Sequence, residues 1–521
     1  MTSSRVIVVG AGIGGLVSAL ELAARGAEVL VLERAARPGG KMREVEVGGV
    51  AMDAGPTVFT MRWVFEELFE AVGTRLSEHL ALQPVSVLAR HAWSVDERLD
   101  LFADVQRSAA AIGEFSGVAA GRGYLDFCER ARRIYRTLEI PFLRSSRPSP
   151  LSLASRVGWR GLPDLMRISP LSTLWQELGK HFVDPRLRQL FGRYATYCGS
   201  SPFMAPATLM LVAHVEQEGV WLVEGGMHRV ATALARLAQQ RGALIRCLAH
   251  VDNILTSAGR VSGVRLVGGE ELPARAVVFN GDVAAIGSGR LGNSVAAGVP
   301  PVADSRRSLS AMTLNLLAST QGFPLARHSV FFSNDCAREF DDIFKHARLP
   351  SSPTVYVCAQ DRSDDGTATS DAPERLLCIV NAPANGDAGS FTPEELARCE
   401  AQTHQTLARC GLQVQHAPAH SLMTTPRDFE RLFPATGGAL YGQASHGWMA
   451  SFNRPGSRSR VPGLYLAGGS AHPGPGVPMA ALSGRQAAAS LLADLAAGRA
   501  PGQRSTHPLP PAVTPGGTST H

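Results

Sequence analysis

Val6-Ile7-Val8-Val9-Gly10-Ala11-Gly12-Ile13-Gly14-Gly15 is followed at once by the apolar stretch Leu16 to Arg25, and then by Val29-Leu30-Val31-Leu32-Glu33. Four β-branched residues in a row suit a strand buried on both faces. Leu16 to Arg25 reads as a helix, with Gly26 placed to cap its end. Strand, glycine turn, helix, strand and acid follow one another in the order of the dinucleotide-binding fingerprint. Gly10 permits the tight turn, Gly12 lets a pyrophosphate approach the backbone, and Gly15 lets the helix pack closely. The amides around Ile13 and Gly14, at the helix start, offer donors and a positive dipole end to phosphate. Glu33 lies 23 residues after Gly10, near the spacing of about 20 at which an acid meets a ribose hydroxyl. On this stretch alone NAD and FAD are equally suited.

The chain has 521 residues, enough for two or more domains. Its 51 basic and 45 acidic residues leave a net charge of +6, spread along the chain, which does not point to a nucleic-acid partner. The lysines are only Lys41, Lys180 and Lys345. Eight cysteines without a C-x-x-C pair suggest neither a disulfide framework nor a zinc site. No metal ligand set is expected. The early apolar run is broken by glycines and Glu21, so it reads as strand and helix rather than as a signal peptide. No uninterrupted apolar run is long enough for a transmembrane helix.

Further along, Arg37-Pro38-Gly39-Gly40-Lys41 sets a cation beside a glycine pair, and Asp53-Ala54-Gly55-Pro56-Thr57 is a second tight turn. Between about 84 and 218 the pattern changes: strands at Val85–Ala92 and Leu99–Phe102, a helix at Gly123–Thr137, and a basic-plus-apolar segment, Arg144–Ser172. That segment suits a membrane surface or a lid over a cavity. Residues 219–299 return to an α/β pattern, with a helix near Met227–Arg241, strands at Ala243–Val251, Val261–Val267 and Ala276–Phe279, and a turn at Asn280-Gly281-Asp282. A second excursion, 300–461, holds strands at Ser310–Leu317, Ser329–Phe332, Thr354–Ala359 and Leu376–Asn381. Gly463 to Gly469 is a last strand; it enters the turn Ser470-Ala471-His472-Pro473-Gly474-Pro475-Gly476-Val477-Pro478-Met479 and a helix over 480–497. Residues 498–521 are rich in Pro, Gly, Ser and Thr and are expected to be disordered.

Glu33 to Lys41 resembles the E-x(5)-G-G-[KR] motif of the amine-oxidase and phytoene-desaturase superfamily of FAD flavoproteins. The match extends to Gly55-Pro56-Thr57, Leu190–Tyr197, Val223–Arg229, Phe279–Asp282 and Ala471–Met479. In that wording the chain is similar to the bacterial carotenoid desaturases, and among them to the 1-hydroxycarotenoid 3,4-desaturases. The resemblance implies an α/β fold: a Rossmann-type FAD-binding domain built discontinuously from 1–83, 219–299 and 462–497. An inserted α+β substrate domain and a helical membrane-associating part would come from 84–218 and 300–461. It implies FAD contacts from Gly10, Gly12, Ile13, Gly14, Gly15, Glu33, Arg34, Gly39, Gly40, Lys41, Gly55, Pro56 and Thr57. Later contacts would come from Val251, Asn280, Gly281, Asp282, Gly468, Gly469, Gly476, Val477, Pro478 and Met479.

The implied substrate is an acyclic hydroxylated carotenoid. Hydride loss from its C4 to flavin N5 would leave a cation spread along the polyene, and loss of a C3 proton would complete the double bond. Conjugation stabilises that cation, so no strong base is required. His472 is the candidate proton acceptor, with a structural hydrogen bond as its alternative role. Glu224 suits a functional role or ordinary loop solvation or a helix-start contact, His228 and Arg229 open a helix and read as surface or packing residues, and Tyr194 and Tyr197 could line an apolar tunnel or pack in the core. Oxygen or a quinone would take up the electrons. A peripheral position on the cytoplasmic side of the bacterial inner membrane is expected. The alternatives are phytoene desaturation, carotenoid isomerisation or terminal oxidation, an amine oxidase, for which so few lysines are a poor fit, and a non-enzymatic prenyl-lipid binder of the same fold.

Overall fold

The computed structural model describes residues 4–146, 172–364, 366–368, 372–389 and 391–498. Its organising sheet has five parallel strands: β1 (Val6–Val9), β2 (Val29–Leu32), β3 (Leu244–Arg246), β4 (Ala276–Phe279) and β5 (Leu464–Leu466), in the spatial order β3-β2-β1-β4-β5. The alternation of side chains along β1 divides two cores. Val6 and Val8 join the core under the helices, and Ile7 and Val9 join the core on the other face.

Three helices matter for the first core: α1 (Ile13–Ala23), α3 (His228–Gln240) and α4 (Val477–Ala496), while α2 (Val118–Leu138) belongs to the first excursion. Every residue of α1 is buried. It crosses α4 at a glycine contact, where a Cβ on Gly484 would stand 2.3 Å from Gly14 O. Ser18 seals the crossing by donating to Gly14 O at 2.8 Å, with Gly484 O at 3.0 Å. The opposite face of the sheet is covered by an antiparallel sheet of Val251–Ser257, Arg260–Leu266 and Glu271–Pro273.

Here the sequence expectation needs correcting. Ala243–Val251 is not one strand. β3 ends at Arg246, Leu248 turns with φ +56° and is exposed, and a new strand begins at Val251. The chain must leave the parallel sheet to reach the layer beneath it. Likewise α4 begins at Val477 rather than 480, with Pro478 tolerated in its first turn.

A second sheet of eight strands gathers Val87–Ala92 and Arg98–Phe102 from the first excursion with His328–Phe331, Val355–Ala359, Glu374–Ala382, Ser310–Gln321, Gln413–Gln415 and Ser421–Thr424 from the second. The two stretches join where His328–Phe331 pairs in parallel with Val87–Ala92. Its own core includes Met312, Leu316, Phe331, Val357 and Val380. All eight cysteines are free thiols. Among the described residues no helix is long and apolar enough to cross a membrane. Most of the expected surface segment (147–171 of Arg144–Ser172) and all but the first residue of the expected tail (499–521) lie outside the described residues.

Candidate active site

One cavity of about 2370 Å³ runs from the Gly10–Gly14 turn to the wall formed by the eight-stranded sheet. Pockets for single small molecules measure about 300–1,000 Å³, so this space suits more than one ligand. Of the residues expected to hold the cofactor, all but Gly15 line it. Gly15 is packing: a Cβ there would stand 2.0 Å from Gly10 O.

The cradle is built from backbone. The hydrogen-bond ladder of α1 begins with Leu16 N on Gly12 O at 2.9 Å. The amides of Ile13 and Gly14 are therefore left for an anion at the helix start, where the dipole favours negative charge. Gly39 N donates to Ala11 O at 2.9 Å, and a Cβ on Gly40 would lie 3.0 Å from Gly12 Cα. The two glycine turns thus meet backbone to backbone. Glu33 is buried, and its carboxylate accepts from Ala11 N at 2.7 Å and Ala35 N at 2.8 Å. It braces the turn and keeps lone pairs for a ribose hydroxyl.

Asn280 is the buttress of this turn. Its side chain fills the space that side chains on the glycines would need, 2.9 Å from a Cβ on Gly12, 2.6 Å from one on Gly14 and 2.8 Å from one on Gly468. Its Nδ2 donates to Gly10 O at 3.3 Å. Lys41 Nζ donates to Leu440 O at 2.5 Å. Burial lowers the Lys41 pKa, and the nearby Asp282 carboxylate counters this. Burial in turn pushes Asp282 above the usual carboxylate range, opposed by Lys41. Arg34 on the cavity wall donates to Arg431 O. Asp53 receives the amides of Met227 (2.7 Å) and His228 (3.1 Å), capping α3 and tying the Gly55-Pro56-Thr57 turn to it.

His472 does not reach the cavity wall. It is 1% exposed, its Nε2–H donates to Phe142 O at 2.9 Å, and its ring stands edge-on to Phe142 at 4.8 Å. Burial lowers its pKa to about 4. This geometry gives it the structural role, holding the Ser470–Gly476 turn against the end of α2's extension. Glu224 and Arg229 are exposed, and His228 is tied to Met42 O at 2.8 Å.

The far arm of the cavity holds groups that sequence reasoning passed over. Leu138, Leu190, Leu209, Val212 and Val215 form apolar wall, with Tyr194 and Tyr197 among them. Set into this wall is a polar cluster. Glu216 accepts from Tyr194 OH at 2.8 Å and Tyr197 OH at 2.9 Å. Burial raises the Glu216 pKa, while both tyrosine bonds and Arg193 draw it back. Arg193 Nη1 donates to Tyr197 Oη at 3.4 Å, and its guanidinium lies over the rings of Tyr197 (5.5 Å) and Tyr356 (5.1 Å). Tyr356 OH bridges Thr57 Oγ1 at 2.6 Å and His328 Nδ1 at 2.8 Å. His91 and His328 line the cavity as neutral imidazoles, since burial lowers each to about 3. The only signal for this cluster in the sequence is the density of Arg, Tyr and Glu within an otherwise apolar stretch.

The model of flavin containing amine oxidoreductases matches residues 13–492. The chain belongs to that family. It is a flavoenzyme, an FAD-dependent oxidoreductase, and the cradle fits the cofactor: free helix-start amides and Lys41 suit a pyrophosphate, and Glu33 suits a ribose. A hydroxyneurosporene desaturase of Rubrivivax gelatinosus is 59% identical over 496 residues, covering 95% of this chain and 94% of its own. One from Cereibacter sphaeroides is 45% identical, covering 94% and 98%. Among solved structures, a putrescine oxidase variant superposes with TM-score 0.59 at 14% identity, covering 94% of this chain and 98% of its own. Cyclohexylamine oxidase from Brevibacterium oxydans superposes with TM-score 0.55 at 17% identity, covering 95% and 99%. At those identities the structures share the fold of this family member.

Proposed function

We propose that this flavoenzyme desaturates acyclic 1-hydroxycarotenoids, introducing the C3–C4 double bond, in carotenoid biosynthesis. The observation that carries the reading is the single cavity that passes from the dinucleotide cradle into a long apolar arm. The arm's wall of Leu138, Leu190, Leu209, Val212 and Val215 suits a polyene. The hydroxyneurosporene desaturases at 59% and 45% identity support the same substrate class.

FAD, when bound, supplies the two-electron acceptor. The chain's own contribution is to bind and orient the polyene, exclude water and keep the wall histidines uncharged. Neutral His91 and His328 serve that end. Residues 84–218 and 300–461 are proposed as the substrate- and membrane-facing part, around the eight-stranded sheet. A carotenoid resides in the bilayer, so the proposal includes a peripheral position on the cytoplasmic side of the bacterial inner membrane. Oxygen or a membrane quinone would take the electrons onward, and an anaerobic assay with and without quinone separates the two.

Incubation with 1-hydroxyneurosporene in liposomes plus FAD tests the reading. The expected product is red-shifted by one conjugated double bond. An unchanged chromophore alongside turnover of phytoene would overturn it.

A further inference from the structure

We propose that Arg193 is the group that recognises the oxygen-bearing end of the substrate, an inference that rests on the desaturase reading above. Arg193 begins the 3₁₀ segment Arg193–Cys198, and its side chain lies on the cavity wall. Among the described residues no carboxylate lies within 4.0 Å of its guanidinium, whereas Arg454, also on the cavity wall, is bonded to Gln443 O at 2.6 Å. Glu216 is linked to it through Tyr197, which accepts from Arg193 and donates to Glu216. The relay balances the charge and orients the guanidinium, yet it engages only one of five N–H donors. Two tyrosine faces hold the plane of the group in place. A planar fork with spare donors inside an apolar arm is a site for an oxygen lone pair.

Position supports the same assignment. Tyr356, beneath Arg193, is bonded to Thr57 in the Gly55-Pro56-Thr57 turn of the cofactor cavity. An oxygen on C1 is only a few bonds from C3 and C4. A group that seats this oxygen must therefore lie close to where C4 meets the cofactor, and not at the remote end of the arm. Glu216 is the less suitable recogniser: a carboxylate only accepts, so it could take a hydroxyl proton but has nothing to offer the oxygen of a methyl ether. Arg193 donates only, so it accommodates the oxygen of a hydroxyl and of a methyl ether alike.

The test compares kcat/KM for a 1-hydroxylated polyene, its 1-methoxy ether and the same polyene without the oxygen, using FAD-loaded enzyme in liposomes. Wild type should prefer both oxygenated substrates over the hydrocarbon. Arg193→Leu should lower that preference about 10- to 100-fold, the range of a hydrogen bond to a charged group, with the flavin absorbance unchanged. Arg193→Gln, which keeps a donor amide, should restore part of it. Equal losses on all three substrates would overturn the assignment and make Arg193 structural. A methoxy substrate rejected as fully as the hydrocarbon by wild type would also overturn it, with no variant needed, since recognition would then require a hydroxyl donor. Turnover of none of these three, with turnover of phytoene, would overturn the desaturase reading itself.

Discussion

The site is made as much by atoms that are missing as by those present. Gly12, Gly14 and Gly468 share one filler, the Asn280 side chain, so the turn tolerates a Cβ at none of them without displacing it. Gly14→Ala is expected to push against Asn280 Oδ1 and Gly468 N and to lose FAD from the purified protein, read as the flavin-to-protein absorbance ratio. Asn280→Ala removes the bond to Gly10 O and leaves a void under the turn, which should weaken FAD binding about tenfold, the effect of one lost buried hydrogen bond. His472 presents the opposite case, a residue whose chemistry suggests catalysis and whose surroundings assign it to packing. His472→Gln keeps a donor near Phe142 O and should retain most of kcat. His472→Ala should cost about 1–3 kcal/mol of stability, measured by denaturant unfolding, and a collapse of kcat in the Gln variant with stability intact would contradict this assignment.

Among the elements, the helix crossing of α1 and α4 is the critical joint. Gly484 and Gly14 approach so closely that Ser18 bonds both carbonyls. Gly484→Val should separate the helices, and because α1 also presents its first amides to the cofactor, thermal stability and FAD affinity should fall together. Loss of one without the other would show that the crossing and the cradle are uncoupled. Most elements here were legible from periodicity: β1, β2, β4 and six strands of the eight-stranded sheet sit within a few residues of their expected positions, while Gln413–Gln415 and Ser421–Thr424 were not expected. The break at Leu248 was not, since Ala243–Val251 is continuously strand-like and only the layer beneath the sheet requires the chain to turn. The start of α4 was obscured by Pro478, which punctuates a sequence but fits the first turn of a helix.

At the scale of the molecule, burial of uncharged histidines sets the response to acid. His91 and His328 are lowered to about 3, and His446 and His472 to about 4, from an ordinary 6.5. The unfolded chain binds those protons first, so their contribution is complete above about pH 6.5 and is lost as pH falls toward 3–4. Glu339, raised to about 7 by burial, acts in the opposite sense, as do the raised Asp53, Glu216, Glu218 and Asp282, but His181, His214, His250 and His404 are lowered as well, so among the described residues eight lowered histidines stand against five raised carboxyls. The melting temperature of the holoenzyme should therefore fall between pH 6.5 and 5, and a flat or rising profile would contradict it. Added FAD should raise the melting temperature, by about 2.7 kcal/mol of stabilisation at a hundredfold excess over Kd.

The sequence by itself determined the nucleotide-binding half of this protein. Gly10 to Glu33, Gly39-Gly40-Lys41 and the Gly468–Met479 turn can be read in isolation because glycine and a placed acid do their work through local backbone geometry. Only the tertiary structure decided the substrate half. Arg193, Glu216, His328 and Tyr356 lie far apart in the chain, and their meaning depends on burial and on the groups that face them. The same holds for His472: its ring is turned away from the cavity by a carbonyl at Phe142, 330 positions earlier in the chain. Local conformation is written in neighbouring residues, whereas desolvation and partnership arise only when distant segments pack.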